Sequence, residues 1–230
     1  MTFRFEHYRW QALALAVLVV PIVAGLVQRA ATRVVVDDFE NGRLDSRFGT
    51  RWRVLSDSVL GGSSSARMAL IQPGAQDSHT ALAIRGTTIP RFTFPFAGVF
   101  VPLGKRRTNA FPDTMAHTNT ALAPLETVVL PRDLRRYHGV EFFARGDGGV
   151  YTVELATSHV NGHDYYQFSF KTSPRWQKVQ VPFGKLRQMA YGGKTALNRE
   201  QSLALLFMHF QQPGAPATSF EFAVDQLVLY

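Results

Sequence analysis

The sequence contains no cysteine. That excludes disulfides, zinc–thiolate centres, iron–sulfur ligation and cysteine nucleophiles together. It leaves the compartment open, because many bacterial periplasmic domains also lack cysteine. Charge is scarce as well: 18% of residues are charged and 46% are apolar, so the chain can bury a core and global disorder is not expected. At 230 residues it suits one sizeable domain plus an appendage. The basic surplus is thin. Residues 1–33 hold four arginines against Glu6, which leaves 21 basic and 16 acidic side chains on the rest. Neither a dense basic stripe nor a nucleic-acid-binding motif is present, so no nucleic-acid partner is expected. An acidic protein surface or anionic headgroups suit a mildly basic domain better.

The long hydrophobic run is confined to one place. Residues 10–27 read WQALALAVLVVPIVAGLV, with Gln11 the only polar side chain besides the Trp10 indole. As a helix this run is about 27 Å long, enough for a bilayer core. Trp10, Leu13, Leu15, Val19, Pro21 and Leu26 mark out the anchor; Phe3, Phe5 and Tyr8 precede it as an interfacial belt, and Pro21 is tolerated in a membrane span. The competing reading is a cleaved signal peptide, but the run exceeds an ordinary signal core and no A-x-A pattern follows. The expected organisation is a tail at 1–9, a transmembrane anchor at 10–27, a linker at 28–33 and a β-domain at 34–230. The arginines on the two sides nearly balance. The short tail favours a cytoplasmic N-terminus, which places the domain in the periplasm of a single-pass bacterial inner-membrane protein.

From residue 34 onward, short runs rich in Val, Phe, Tyr and Thr alternate with Gly, Pro, Asn and Ser clusters, the form of a sandwich or barrel. The pattern predicts strands at 34–39, 52–55, 66–71, 80–85, 98–103, 126–130, 139–145, 150–156, 165–171, 176–181, 203–210 and 220–230. Tyr166, Phe168 and Phe170 should face inward, with Gln167, Ser169 and Lys171 outward. The run 203–210 is apolar on both faces and suits a central strand. Only 183–190 reads as helix. One stretch, 104–125, has no period and opens on Lys105, Arg106 and Arg107. Long aperiodic loops in compact domains are commonly functional or disordered, and Phe111, Met115 and Leu122 within this one are spaced to anchor in a partner.

Four patches then stand out in order. The first runs from Asp37 and Asp38 to Trp52 and on to Ser56-Asp57-Ser58-Val59-Leu60-Gly61-Gly62-Ser63-Ser64-Ser65. The others are Gly146-Asp147-Gly148, Trp176 with Val181-Pro182-Phe183, and the last strand around Asp225. Together they resemble the complex I intermediate-associated protein 30 family across residues 34–230, most specifically in the Ser-Asp-x-x-x-Gly-Gly-Ser patch. The resemblance implies an all-β, galactose-binding-like β-sandwich (jelly roll), here preceded by one transmembrane helix, and a role in assembling an energy-converting complex. Leu60 stands where the family commonly has methionine. The long basic loop after Ala97-Gly98-Val99-Phe100 departs from the family, as does the membrane anchor.

The chemical readings of these residues are modest. The serines after Gly61 and Gly62 lack the G-x-S-x-G form of a nucleophile elbow and the lysine of a phosphate loop. They read instead as a tight turn in which Ser56 and Asp57 bond local backbone. His159 and His163 flank a Gly turn rather than a helical chelate. Asp38, Glu40 and Asp225, near the first and last strands, could hold calcium, although buried carboxylates can equally be met by backbone amides or an arginine. Tyr165, Gln167 and Ser169 beside Trp176, Lys178 and Gln180, with Thr152 and Glu154, could form a sugar platform. No nucleophile–base pair or carboxylate pair reads as catalytic and no cofactor is implied. The expectation is a non-enzymatic, membrane-anchored accessory or assembly subunit of a respiratory or photosynthetic complex, with a periplasmic carbohydrate-binding module as the alternative.

Overall fold

In a computed structural model, the described residues are 32–91, 93–106, 129–160, 162–189, 191–212 and 214–230. The anchor at 10–27, with Trp10, Leu13, Leu15, Val19, Pro21 and Leu26, lies outside them, as do Arg107, Phe111, Met115 and Leu122. Among the described residues no helix is long and apolar enough to cross a membrane.

The compact unit Ala31–Tyr230 is an all-β sandwich. Its strands are β1 (Val34–Asp37), β2 (Arg53–Ser56), β3 (Ser65–Ile71), β4 (Ala81–Thr88), β5 (Phe96–Pro102) and β6 (Gly139–Gly146), then β7 (Val150–Thr157), β8 (Tyr166–Lys171), β9 (Gln177–Pro182), β10 (Ser202–Phe210) and β11 (Thr218–Leu229). One sheet runs β3-β4-β11-β6-β9 with β1 also on β11; the other runs β2-β5-β10-β7-β8. All the pairings are antiparallel. The first and last strands meet because β11 is 12 residues long: β4 takes its first part and β1 its end. A register shift between Asp225 and Val228, with Gln226 at φ 48°, separates the two.

Period-2 alternation builds the core. Tyr151, Val153 and Leu155 on β7 pair in register with Phe170, Phe168 and Tyr166 on β8, and this face packs inward. Phe142, on the opposing sheet, meets Phe207 at 5.0 Å and Phe170 at 5.2 Å, both edge to face. The doubly apolar run is the central strand β10, buried from Ser202 to Met208. Arg33 (2.6 Å) and Lys178 (2.9 Å) both meet Glu141, fastening the chain just before β1 to the outside of the six-stranded sheet.

Two sequence expectations need correction. The helix at 183–190 is only the 3-10 turn Phe183–Lys185. Gly184 disfavours continuation, and the next residue, Leu186, turns to extended backbone (φ −67°, ψ 141°) so that its side chain can bury. The described part of the strand 126–130 is a lone bridge between Val129 and Arg106, with Leu130 N–H donating to Lys105 O at 2.9 Å. That bridge closes the base of the 104–125 loop.

Candidate functional site

The geometry of the family-type residues decides whether they act on a ligand or on the fold. Asp57 opens a short 3-10 turn and is fully buried. One carboxylate oxygen accepts from Ser64 N–H (2.8 Å); the other accepts from the Ser64 hydroxyl (2.6 Å) and Phe96 N–H (3.2 Å). The Ser64 hydroxyl in turn accepts from Ile89 N–H at 2.9 Å. Gly61 takes φ 89°, and a Cβ on Gly62 would stand 2.2 Å from Asp57 Oδ1. The motif is therefore a clamp joining β2, β3 and β5. Its serine is Ser64 rather than Ser63, and Asp57 reaches beyond the local backbone that the sequence assigned to it. Ser56 bonds the Ser58 hydroxyl at 2.7 Å.

Trp52 has the same role at the other end of β2. Its indole N–H donates to Asp37 Oδ2 at 2.7 Å, while Asp37 Oδ1 accepts from Phe39 N–H at 2.9 Å. Burial pushes the Asp37 carboxyl above its ordinary pKa, and these two donors oppose the shift. The Gly146-Asp147-Gly148 turn repeats the pattern. Asp147 accepts from Gly149 N–H (2.8 Å), Glu221 N–H (2.9 Å) and the Tyr151 hydroxyl (2.8 Å), and Gly148 supplies φ 91°. Burial would raise the Asp147 pKa, yet these donors hold it below the ordinary value. Trp176 is half-buried under the Arg145 guanidinium, 4.7 Å from ring centroid to cation.

The acidic residues near the termini are spent on protein donors. Asp38 pairs with Arg47 through two bonds of 2.9–3.0 Å. Glu40 accepts from Ser78 Oγ, His79 N–H and Thr80 N–H at 2.8–2.9 Å, led by Thr80 N–H in lowering its pKa. Asp225, fully buried, accepts from Ala75 N–H and Gln226 N–H, both at 2.7 Å. Glu40 and Asp225 thus meet on the 74–80 loop, and Asp38 turns away to Arg47. No three His, Cys, Asp or Glu residues among those described could hold a metal ion.

The supposed sugar platform divides. Gln167 and Ser169 on β8 share a face with Thr152 and Glu154 on β7, but Trp176, Lys178 and Gln180 belong to the other sheet. Alternation assigns a face and not a sheet, which is why the sequence joined them. Tyr165 is buried. Lys105 and Arg106 are exposed at the closed base of the long loop.

What remains is a pair of buried acids, Glu154 on the outer face of the five-stranded sheet and Asp164 in the turn before β8, both within electrostatic reach of Tyr191. Glu154 is 6% exposed and Asp164 1%. Asp164 accepts from Met189 N–H at 2.9 Å and Gly192 N–H at 3.3 Å. Burial first, then the Asp164 charge, pushes the Glu154 pKa up to about 8. Tyr191 donates to His163 O at 3.1 Å, and burial followed by the two acids raises its hydroxyl to about 12. The Tyr191 and Phe94 rings lie 6.4 Å apart and 13° from parallel, both well exposed. Of this group the sequence reading singled out only Glu154; Asp164, Tyr191 and Phe94 carry no motif.

A family model described as complex I intermediate-associated protein 30 matches residues 39–215. The chain belongs to that family. The matched span contains Trp52, the Asp57 clamp, the Asp147 turn and Trp176, while Asp225 lies beyond it. Among solved structures the sandwich is similar to the family 11 carbohydrate-binding module of a cellulosomal cellulase of Clostridium thermocellum, at 16% identity and a TM-score of 0.58, covering 87% of this chain and 95% of that one. A structure of the Clostridium thermocellum module in complex with a β-1,3-1,4-mixed-linked tetrasaccharide is similar at 16% identity and a TM-score of 0.57, covering 87% and 96%. At that identity the likeness is one of fold, a jelly-roll β-sandwich. A comparison with curated proteins gives no match.

Proposed function

We propose that this member of the complex I intermediate-associated protein 30 family is a non-enzymatic accessory or assembly subunit that docks its sandwich on a membrane energy-converting complex. The observation that carries the reading is the family match over residues 39–215. The geometry supports it: Asp37, Asp57 and Asp147 aim their oxygens at N–H and O–H donors of the fold itself. The family signature is therefore a folding signature, and function falls to surfaces and loops. In the same reading, residues 10–27 anchor the chain in a bacterial inner membrane, with a galactose-binding-like domain in the periplasm. The complex is then of the respiratory or the reaction-centre–antenna type. The 104–125 loop supplies contacts through Lys105, Arg106, Arg107, Phe111, Met115 and Leu122; rim charges of this kind add capture rate and specificity more than affinity.

The test is purification of the tagged full chain from native membranes in mild detergent. Stoichiometric subunits of one complex should co-purify, and the intact mass should match a chain starting at residue 1 or 2. A mature N-terminus between residues 24 and 36 would remove the anchor from the reading. Replacing residues 107–125 with a short Gly-Ser linker keeps the Arg106–Val129 bridge and should abolish co-purification. If the complex survives that deletion while the domain binds β-glucans, the carbohydrate-binding alternative stands instead.

A further inference from the structure

Glu154 sits in mid-β7 between Val153 and Leu155, both of which point into the core, so its side chain lies on the outer face of the five-stranded sheet. In register it faces Gln167 on β8 and Leu206 on β10. It is more than nine-tenths buried and, among the described residues, makes no hydrogen bond or ion pair. A buried carboxyl without a partner is costly, and folds rarely retain one without use. Its acidic neighbour, Asp164, cannot relieve it, because Asp164 is itself an acceptor held by the Met189 and Gly192 amides. Those bonds tie Met189 and Gly192 to Asp164, and the Gln188 amide donating to Asp164 O at 2.9 Å adds to them.

Above the acids the surface is aromatic and open. Tyr191 is 65% exposed and Phe94 59%, and Met189, whose backbone N–H bonds Asp164, is exposed as well. Negative ring faces and an acid pair that has no basic partner among the described residues both favour the same kind of guest: a cation with a flat, delocalised charge. Guanidinium meets each condition, since it stacks on rings and donates in its plane to carboxylates. A neutral polyol would stack, yet it would gain nothing from drawing the Glu154 carboxyl into its charged form.

We propose that Glu154, Asp164, Tyr191 and Phe94 form a docking pocket for an arginine side chain presented by a partner protein. The pocket deepens the docking reading and rests on it only for the source of the arginine. None of its residues belongs to the 104–125 loop.

Methionine methyl groups provide the test, because the Met189 backbone bonds Asp164 and Met208 shares the sheet face of Glu154, whereas Met68 packs with the core between the sheets. The full chain, labelled with ¹³C-methyl methionine in mild detergent, is titrated with N-acetyl-arginine amide, its neutral isostere N-acetyl-citrulline amide, and a β-1,3-1,4-linked tetrasaccharide. Arginine should shift the Met189 methyl saturably and citrulline should not. Glu154→Gln should weaken arginine at least tenfold while the Met68 signal stays in place, showing an intact fold. The pocket is refuted if citrulline or the tetrasaccharide shifts Met189 as arginine does, if Glu154→Gln binds arginine like the parent, or if arginine gives no saturable shift. If deletion of residues 107–125 abolishes co-purification while arginine still binds, the two docking elements are separate. Arginine binding by a chain that co-purifies with nothing leaves the pocket standing and removes the assembly reading.

Discussion

Replacing Glu154 with glutamine should stabilise the free protein, and the gain should grow with pH. Glutamine has nearly the shape of the protonated acid and carries no charge to bury. In the fold the Glu154 pKa is raised from 4.5 to about 8, first by burial and then by the Asp164 charge. The sign follows from linkage: the unfolded chain releases this proton at lower pH than the folded one, so raising the pH favours unfolding. The Glu154 contribution to the parent's stability therefore falls as pH climbs from about 4.5 to about 8 and is level on either side of that window. At ~1.4 kcal/mol per pH unit, the full difference between parent and variant reaches about 5 kcal/mol above pH 8. Urea unfolding of both proteins at pH 4, 6, 7 and 9, with the variant subtracting every other titrating group, isolates the contribution. Superimposable pH dependence in the two proteins would show that the Glu154 carboxyl is not desolvated in the fold, and the arginine pocket would lose its basis.

Asp57→Ala should cost about 3 kcal/mol or more by stranding the Ser64 and Phe96 amides. A double-mutant cycle with Ser64→Ala should show coupling of at least ~1 kcal/mol. Gly62→Ala places a Cβ 2.2 Å from Asp57 Oδ1 and should lower stability by about 2 kcal/mol. Gly184→Ala, which meets nothing within 4 Å, should stay within about 0.5 kcal/mol of the parent in the same denaturation assay. Trp52→Phe keeps the ring but removes the donor to Asp37, so calorimetry should show a loss of ~1–3 kcal/mol. That loss should be larger above the Asp37 pKa than below it, because the charged carboxylate is the form that uses the indole N–H.

Alternation by itself placed Tyr166, Phe168 and Phe170 on the buried side, and two-sided apolarity made residues 203–210 a central strand; both depend only on the strand period and on removing hydrocarbon from water. The absence of cysteine settled which metal and redox chemistries to set aside before any fold was known. Local glycine chemistry was legible too, in that Gly61 and Gly148 sit where positive φ is required. Long-range choices were not. Residues 172–176 carry the chain from one sheet to the other between β8 and β9, so two strands adjacent in sequence present their polar sides on opposite faces of the molecule. Asp57 finds Phe96 39 positions away, and the Glu40 and Asp225 carboxylates converge on a loop distant from both in sequence. Glu154 reads in sequence as an ordinary outward residue of a β-strand. Only packing buries it and sets Asp164 and Tyr191 within its electrostatic reach, because burial and charge proximity are properties of the assembled chain and not of any window along it.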